Sequence, residues 1–181
     1  MTGRMGVIAD THGDVEAWET AVRLWGPVDL IVHAGDVLDG WKNRPRTARG
    51  GRRVLAKALN ESGTPILIAR GNCDGEEDEA LLRWPMADPF LFLWWEGRLV
   101  LAGHGTDFSE IRGKGLAYGA HLVITGHTHV GSLVRERNTI FLNPGSASLP
   151  MGRDPASVTL LDSEGIRLLT LGNALLHFEP W

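Results

Sequence analysis

Five short polar clusters contain the residue types that bind divalent metal ions in proteins. The clusters are Asp-x-His at 10–12, Gly-Asp at 35–36, Gly-Asn at 71–72, Gly-His at 103–104 and Gly-His-x-His at 126–129. Their side chains supply two carboxylates, one carboxamide and four imidazoles: Asp10, Asp36, Asn72, His12, His104, His127 and His129. This mixed oxygen and nitrogen set contains no thiolate, so it favours manganese, iron, zinc, cobalt or nickel over calcium.

The size of this set indicates how many ions it would hold. Seven ligands exceed the number that one tetrahedral ion takes. They fit two ions about 3.5–4 Å apart that share one carboxylate, as in binuclear hydrolases. Any one of the histidines taken alone would more often be an ordinary core or surface residue. The interpretation therefore depends on the whole set.

The clusters follow predicted strands. Apolar runs predict strands over 4–10, 28–36 and 64–72, and helical spacing predicts helices over 14–25 and 52–63. This β-α-β-α-β order implies a parallel sheet with right-handed crossovers. Ligands of such sheets bind outside the carboxyl ends of the strands. We therefore expect the clusters to converge on one place.

The second half of the chain alternates strand patterns with turn residues. We predict a hairpin over 89–105, a short helix near 110–119 and a strand over 120–129. Two hairpin-like pairs follow, with turns near 137–138 and 163–165. Together the halves predict a single domain over 1–181 in which two mixed sheets form a sandwich flanked by helices.

The spacing inside two clusters also favours a shared site. Residues i and i+2 of an extended segment face the same side. Asp10 with His12, and His127 with His129, would then each present two ligand atoms in one direction. A glycine precedes several of the ligands and permits the sharp turns and close backbone approach that such a site needs.

Composition excludes several classes of protein. The 181 residues have 43% hydrophobic content and a net charge of −4, which argues against a dedicated nucleic-acid binder. The single cysteine excludes an internal disulfide and suits a reducing compartment. The first residues lack the apolar run of a signal peptide, and no long uncharged apolar stretch predicts a membrane span. We expect a cytoplasmic protein without membrane partners.

In this order, the motifs resemble those of the calcineurin-like metallophosphoesterases, in particular the small bacterial YfcE-like phosphodiesterase branch. "HAGDVL", "GNCD", "GHTH" and "NPGSASLP" carry the likeness, which extends over residues 4–170. The resemblance implies the αββα sandwich of that family. It also implies two ligand sets: Asp10, His12, Asp36 and His129 for the first metal, and Asp36, Asn72, His104 and His127 for the second. Asp36 would bridge the two ions.

The resemblance implies phosphoester hydrolysis, in this branch mainly of phosphodiesters and often with manganese. We expect in-line attack on phosphorus by a hydroxide held between the metals, with Asp36, Asn72 and His104 acting through them. Two alternatives stay open. One is a phosphomonoesterase, and the other is a scaffold of the same fold that binds protein partners with or without metal.

Two positions depart from the family pattern. Cys73 follows Asn72 where many members have a histidine that protonates the leaving group, and Thr106 stands where YfcE-like members commonly have another histidine. No obvious side-chain general acid remains in the motifs, which typically costs about 10²–10⁴-fold for poor leaving groups. We therefore expect either a preference for good leaving groups or assistance to the leaving group by metal-bound water. A Cys73 nucleophile is disfavoured, because the acidic run at 74–79 would oppose a thiolate.

Several other residues receive weaker expectations. His33 and Asp74 would support the ligands from behind, and Asn143 and Ser146 would either line the pocket or build a turn. The basic segment at 39–53 would be either a solvated loop or an aid to phosphate binding.

Trp18 and Trp25 are expected in the core. Exposure of Trp41, Trp94, Trp95 and Trp181 would mark a self-association surface, so a homo-oligomer is one expectation.

Overall fold

The structure, a computed structural model, describes residues 3–38 and 51–181. In these ranges the strands are β1 (Met5–Ile8), β2 (Leu30–His33), β3 (Ile66–Ala69), β4 (Met86–Ala87), β5 (Leu91–Trp95), β6 (Arg98–Ala102), β7 (Leu122–Ile124), β8 (Gly131–Glu136), β9 (Thr139–Pro144), β10 (Ser157–Leu161), β11 (Gly165–Thr170) and β12 (Leu175–Pro180). The helices are α1 (Val15–Trp25), α2 (Arg52–Asn60), α3 (Glu76–Glu79) and α4 (Phe108–Ala117).

The strands form two mixed sheets. One has the order β12-β11-β10-β1-β2-β3-β4, and the other has the order β5-β6-β7-β9-β8. In the first sheet β1 to β4 are parallel and β10 is antiparallel to β1. In the second, β6, β7 and β9 are parallel, and β5 and β8 are antiparallel edge strands. The parallel strands of each sheet therefore present their carboxyl ends at one edge.

The alternation of side chains along the strands divides the core into three layers. Met5 and Val7 of β1 pack between the two sheets, whereas Ile8 packs against α1 and α2. In β7, Leu122 faces the layer between the sheets and Val123 packs against α4. The order of layers is helix, sheet, sheet, helix. This confirms the predicted αββα sandwich.

The first helix shows how local signals and packing combine. The carboxylate of Asp14 caps α1 by accepting from the backbone N–H of Ala17 at 3.0 Å. Trp18 and Trp25 are buried, with 4% and 1% of their surface exposed. Val22, on the same helix, is 39% exposed. The small side chain of Ala21 takes the buried position instead.

Some element boundaries differ from the predictions. Helix α2 ends at Asn60 rather than at 63. The Asn60 side chain makes tertiary hydrogen bonds at this point: its Nδ2 donates to the Leu81 carbonyl, and its Oδ1 accepts from the Arg83 N–H. The short elements α3 and β4 carry too little pattern to be predicted.

The carboxyl terminus forms β12, a strand that the sequence analysis missed. Trp181, just after it, is only partly exposed, because its indole N–H donates to the Asp162 carbonyl at 2.6 Å and the Arg98 guanidinium lies over its ring. On β5, Trp94 is 71% exposed beside Phe92 at 50%. Trp41 lies outside the described residues. Among those residues, no helix is long and apolar enough to cross a membrane.

Candidate metal centre

Backbone hydrogen bonds hold the loops that carry the candidate ligands together. After β1, the Asp10 N–H donates to the Gly35 carbonyl and the His12 N–H donates to the Asp36 carbonyl, both at 3.0 Å. In the other sheet, the Gly126 N–H donates to the His104 carbonyl at 2.9 Å. These loops all follow the carboxyl ends of parallel strands. All seven predicted site residues lie at this edge, as the distances below show.

The backbone of these loops is not extended, so the predicted i, i+2 alternation of Asp10 with His12 and of His127 with His129 was wrong. Five of the site residues have positive φ angles: Asp10 at 53°, His12 at 45°, Asp36 at 55°, His127 at 69° and His129 at 58°. Such angles are uncommon outside glycine and cost about 1–3 kcal/mol each, and they cluster at functional sites. Left-handed turns therefore direct these side chains, in place of the i, i+2 alternation of a strand.

One group of ligand atoms comes from Asp10, His12, Asp36 and His129, all of which are buried. One ligand atom from each lies within 4.8 Å of every other. His129 Nε2 is 3.3 Å from His12 Nε2 and 3.4 Å from Asp10 Oδ1. His12 Nε2 is 3.8 Å from Asp36 Oδ2. The resemblance predicted this set for one ion.

A second group adjoins the first and includes the same carboxylate. Asn72 Oδ1 lies 2.8 Å from His127 Nδ1 and 3.0 Å from His104 Nε2, and these two ring nitrogens are 3.3 Å apart. His104 Nε2 is 3.4 Å from Asp36 Oδ2. Asp36 therefore lies between the two groups.

The spacing of these atoms fits divalent ions. Two ligand atoms that each lie 2.0–2.2 Å from one ion are about 2.8–3.6 Å apart at octahedral or tetrahedral angles. The closest contacts in both groups, from 2.8 to 3.4 Å, match this range. Nitrogen and oxygen atoms thus converge as a metal ion requires.

Hydrogen bonds on the far side of two imidazoles orient them. His104 Nδ1 lies 2.8 Å from the Ala34 carbonyl, and His129 Nδ1 lies 2.8 Å from the Leu149 carbonyl. Because a carbonyl accepts only, each Nδ1 carries the proton and each Nε2 presents a lone pair to the site. In His127 the ring is turned the other way, so that Nδ1 rather than Nε2 faces the site, towards Asn72 and His104.

The charges of the site shift its pKa values. Burial lowers the pKa of His104, but the hydrogen bond and charge of Asp36 outweigh it and the pKa is raised. Asp10 raises the pKa of His129 against burial in the same way. Burial and the neighbouring His104 lower the pKa of His127. Burial alone would raise the pKa of Asp36, but His104 and the Cys73 N–H hold it well below its usual range.

Asp74 organises the loop that presents Asp36. Its carboxylate accepts from the backbone N–H groups of Asp36 and Val37, both at 2.8 Å, and from that of Gly71 at 2.9 Å. Burial raises the pKa of Asp74. A Cβ at Gly71 would lie 2.2 Å from the Asp36 backbone nitrogen, so only glycine permits this approach. Asp74 thus supports the site, as predicted.

His33 supports the site through Thr11, which the sequence analysis did not single out. Thr11 Oγ1 donates to the Val37 carbonyl at 2.8 Å and lies 2.9 Å from His33 Nε2. Since the Thr11 hydroxyl donates its proton to the Val37 carbonyl, His33 Nε2 must be the donor to Thr11 Oγ1. His33 Nδ1 is buried without a hydrogen-bond partner. Burial and the adjacent His104 lower the pKa of His33 to about 3.

The "NPGS" segment builds the turn that braces the loop after β1. Ser146 Oγ and Ser148 Oγ donate to the Asp10 carbonyl at 2.7 and 3.0 Å. Asn143 Nδ2 donates to the Gly126 carbonyl, and its Oδ1 accepts from the Gly145 N–H. Of the two predicted roles for this segment, the structure favours turn-building.

The two departures from the family pattern lie on the outer side of the site. The Cys73 N–H donates to Asp36 Oδ1 at 2.9 Å, and Cys73 Sγ lies 3.4 Å from Asn72 Nδ2. Thr106 Oγ1 is exposed, 3.5 Å from Asn72 Oδ1. Asn72 therefore directs its oxygen to the site and its amide nitrogen to the cysteine.

The basic segment at 39–53 lies mostly outside the described residues. Its described end, Arg52, contacts Asp78 Oδ1 at 2.7 Å through its guanidinium. This ion pair ties the start of α2 to α3. The expectation that the segment aids phosphate binding stays a prediction.

Comparison with known proteins identifies the class to which this fold and site belong. The model of the calcineurin-like phosphoesterase superfamily domain matches residues 4–165. The chain belongs to this superfamily. Phosphodiesterase YfcE of Escherichia coli K12 is 32% identical to it over 168 residues, which cover 91% of this chain and 90% of that protein.

Solved structures share the fold. YfcE, a phosphoesterase from E. coli, superposes with a TM-score of 0.84 at 24% identity and covers 98% of both chains. Vps29 of Entamoeba histolytica complexed with Zn²⁺ superposes with a TM-score of 0.62 at 18% identity, also over 98% of both chains. At these identities the likeness concerns the fold alone.

Proposed function

We propose that this chain is a phosphodiesterase that uses two divalent metal ions sharing the Asp36 carboxylate. The observation that carries the proposal is the position of Asp36 Oδ2, which lies 3.8 Å from His12 Nε2 and 3.4 Å from His104 Nε2. One carboxylate therefore reaches both groups of ligand atoms. The relationship to phosphodiesterase YfcE supports the reaction class.

Residues of this chain would hold and orient the ions. Asp10, His12, Asp36 and His129 would bind one, and Asp36, Asn72, His104 and His127 would bind the other. When bound, such ions supply an activated water near neutral pH and neutralise charge on the phosphoryl oxygens. Manganese is our first expectation, with iron, zinc, cobalt and nickel as alternatives.

The open side of the site receives the substrate in this proposal. Asn72 is exposed and His127 is partly exposed, whereas Asp10 is completely buried. A phosphodiester therefore approaches over Asn72 and His127. Cys73 and Thr106 lie on the same side, at the two positions where the family pattern commonly has a histidine. We accordingly propose a preference for esters with good leaving groups.

The same fold occurs in Vps29, so a protein-binding scaffold is the alternative to test. All seven site residues are present and converge in this chain, which supports metal binding. Absence of any bound or acquired metal in the purified protein would favour the scaffold. Higher activity on phosphomonoesters than on diesters would favour a phosphomonoesterase. A cytoplasmic location and one domain over 1–181 stay predictions.

The decisive experiment compares Asp36→Asn with Asp29→Asn, in assays of a chromogenic phosphodiester with each metal. Asp29 is an exposed carboxylate near the opposite end of β2 that accepts from the Arg4 N–H, a role that an asparagine oxygen retains. We expect Asp36→Asn to abolish metal-dependent hydrolysis and Asp29→Asn to retain it. Full activity of Asp36→Asn would contradict the proposal, and chelator-resistant activity would point to Cys73 chemistry instead.

A further inference from the structure

A groove beside the metal centre lies between α4 and strands β7, β8 and β9. Its volume is about 250 Å³, and Phe108, Thr125, Val134 and Phe141 are among its lining residues. Pockets that enclose a whole small-molecule ligand measure roughly 300–1,000 Å³. The groove is therefore sized for one group of a larger molecule. We call it the ring groove.

The ring groove is continuous with the loops that carry two site residues. Phe108 lies four residues after His104, and Thr125 lies two residues before His127. A Cβ at Gly105 would be 3.0 Å from the Thr125 Cβ, so the loop after β6 packs directly on Thr125. The Thr125 end of the groove therefore lies within two residues of His127, near enough for a substituent of a molecule whose phosphate lies at the metal centre.

The lining of the groove includes one aromatic pair and two exposed apolar side chains, Phe108 and Val134. Phe108 is 47% exposed and packs edge to face on Phe141, with ring centroids 6.1 Å apart. Val134, on the opposite wall, is 58% exposed. Phe141 is 8% exposed, so Phe108 is the ring that the groove presents to solvent. Aromatic rings pair favourably edge to face or offset-stacked, so Phe108 can contact a further flat ring.

The charged residues of the groove are already paired. Arg112 donates through Nε and Nη2 to both carboxylate oxygens of Glu136, at 2.9 and 2.6 Å. This two-pronged ion pair neutralises both charges, so the groove offers no net positive charge to a second phosphate. An uncharged group fits it better than an anion.

We propose that the ring groove binds an aromatic ester group of a phosphodiester substrate while the phosphate lies at the metal centre. This inference rests on the proposed function and names its substrate class. A phosphodiester has two ester groups, and only one of them leaves. The other can therefore stay in the groove during hydrolysis.

The test uses two diesters that release the same p-nitrophenolate and differ only in the group that remains. These are bis(p-nitrophenyl) phosphate and methyl p-nitrophenyl phosphate, assayed with manganese. The variant is Val134→Asp, which places a charge in the groove on an exposed strand position. Val54→Asp is the matched control, because Val54 is 48% exposed and is not among the groove residues. Phe108→Ala is a second variant that adds no charge.

We expect Val134→Asp and Phe108→Ala to lower the ratio of kcat/KM for the aryl diester to that for the methyl diester by about tenfold, and Val54→Asp to leave it unchanged. An equal fall for both diesters, seen in KM, would place the p-nitrophenolate ring in the groove and also support the proposal. Unchanged kinetics with intact metal-dependent hydrolysis would overturn the groove assignment alone. Absence of hydrolysis by the unmodified protein with every metal would overturn the proposed function as well.

Discussion

The two halves of the metal centre differ in how they meet solvent. The closed half consists of Asp10, His12 and His129, which are 0%, 4% and 5% exposed. The open half consists of Asn72, His104 and His127, of which only His104 is buried. Asp36 lies between them. Burial fixes ligand geometry and excludes water, whereas exposure admits substrate.

Hydrogen bonds to the loops reinforce this difference. In the closed half, Ser146 and Ser148 hold the Asp10 carbonyl, and Thr11 links the loops after β1 and β2. In the open half, the outer side of Asn72 has two long contacts, to Cys73 Sγ at 3.4 Å and to Thr106 Oγ1 at 3.5 Å. We infer that the closed half is the prearranged site for one ion and that the open half adapts to substrate.

The largest expected effect separates the halves by metal content. His129→Asn should lose the ion of the closed half, with a loss of affinity greater than about 100-fold, because it removes a ligand rather than a supporting group. His127→Asn should lose the other ion and keep one equivalent. Metal analysis and titration calorimetry would show one ion of different affinity in each variant. Equal loss of both ions in either variant would show that the halves are not independent. His177→Asn, outside the site, is the control and should keep both ions.

Removal of the Thr11 hydroxyl should have a smaller effect on metal affinity in the closed half. Thr11→Val keeps the shape but removes the link between His33 and Val37, and supporting groups of this kind typically change metal affinity about 10–100-fold. Thr11→Ser keeps the hydroxyl and should restore the affinity. A calorimetric titration with manganese distinguishes the two variants. If both bind metal equally, the hydroxyl does not position the ligands.

The pH dependence of metal binding tests whether burial alone decides how the closed and open halves differ in metal binding. Each half contains one imidazole with a raised pKa, His129 in the closed half and His104 in the open half. Both bind protons at higher pH than an ordinary histidine, so protons compete with the ion already above pH 6.5. We expect affinity in each half to fall by about tenfold per pH unit as pH is lowered. Calorimetry at several pH values measures this, and a pH-independent affinity would contradict it.

The smallest expected effect is on proton donation to the leaving group in the open half. Cys73→His would place an imidazole next to Asn72, where it can protonate a leaving group. We expect kcat for alkyl phosphodiesters to rise by about tenfold, with little change for p-nitrophenyl esters, which need no proton. Cys73→Ser is the control of similar size. An equal gain for both classes of ester would show that the cysteine limits something other than proton transfer.

Much of this site could be predicted from local sequence signals. Asp10, Asp36 and Asn72 each follow an apolar run, and a strand with a polar end is a pattern readable within ten residues. Because parallel strands align their carboxyl ends, the gathering of such residues follows from the strand order. The predicted convergence of the seven residues was right, although the proposed extended geometry was wrong.

The supporting groups could not be predicted in the same way. The orphan nitrogen of His33, the link through Thr11 and the braces from Ser146 depend on contacts between residues far apart in the chain. Serine and threonine are too common for their types to indicate such roles. The strand β12 was missed for a related reason, since half-exposed edge strands show weak hydrophobic patterns.

The sequence by itself therefore determined the ligand types, their order at strand ends and the class of fold, because these depend on local polarity and periodicity. Only the tertiary structure decided which ligands are buried, which way each imidazole is turned, and that Asp36 lies between two groups. Those properties arise from packing two sheets together, which places the loops after β1, β2 and β3 against those after β6 and β7. The groove between α4 and β8 likewise depends on the tertiary structure, because it forms where this helix packs on the outer face of the second sheet.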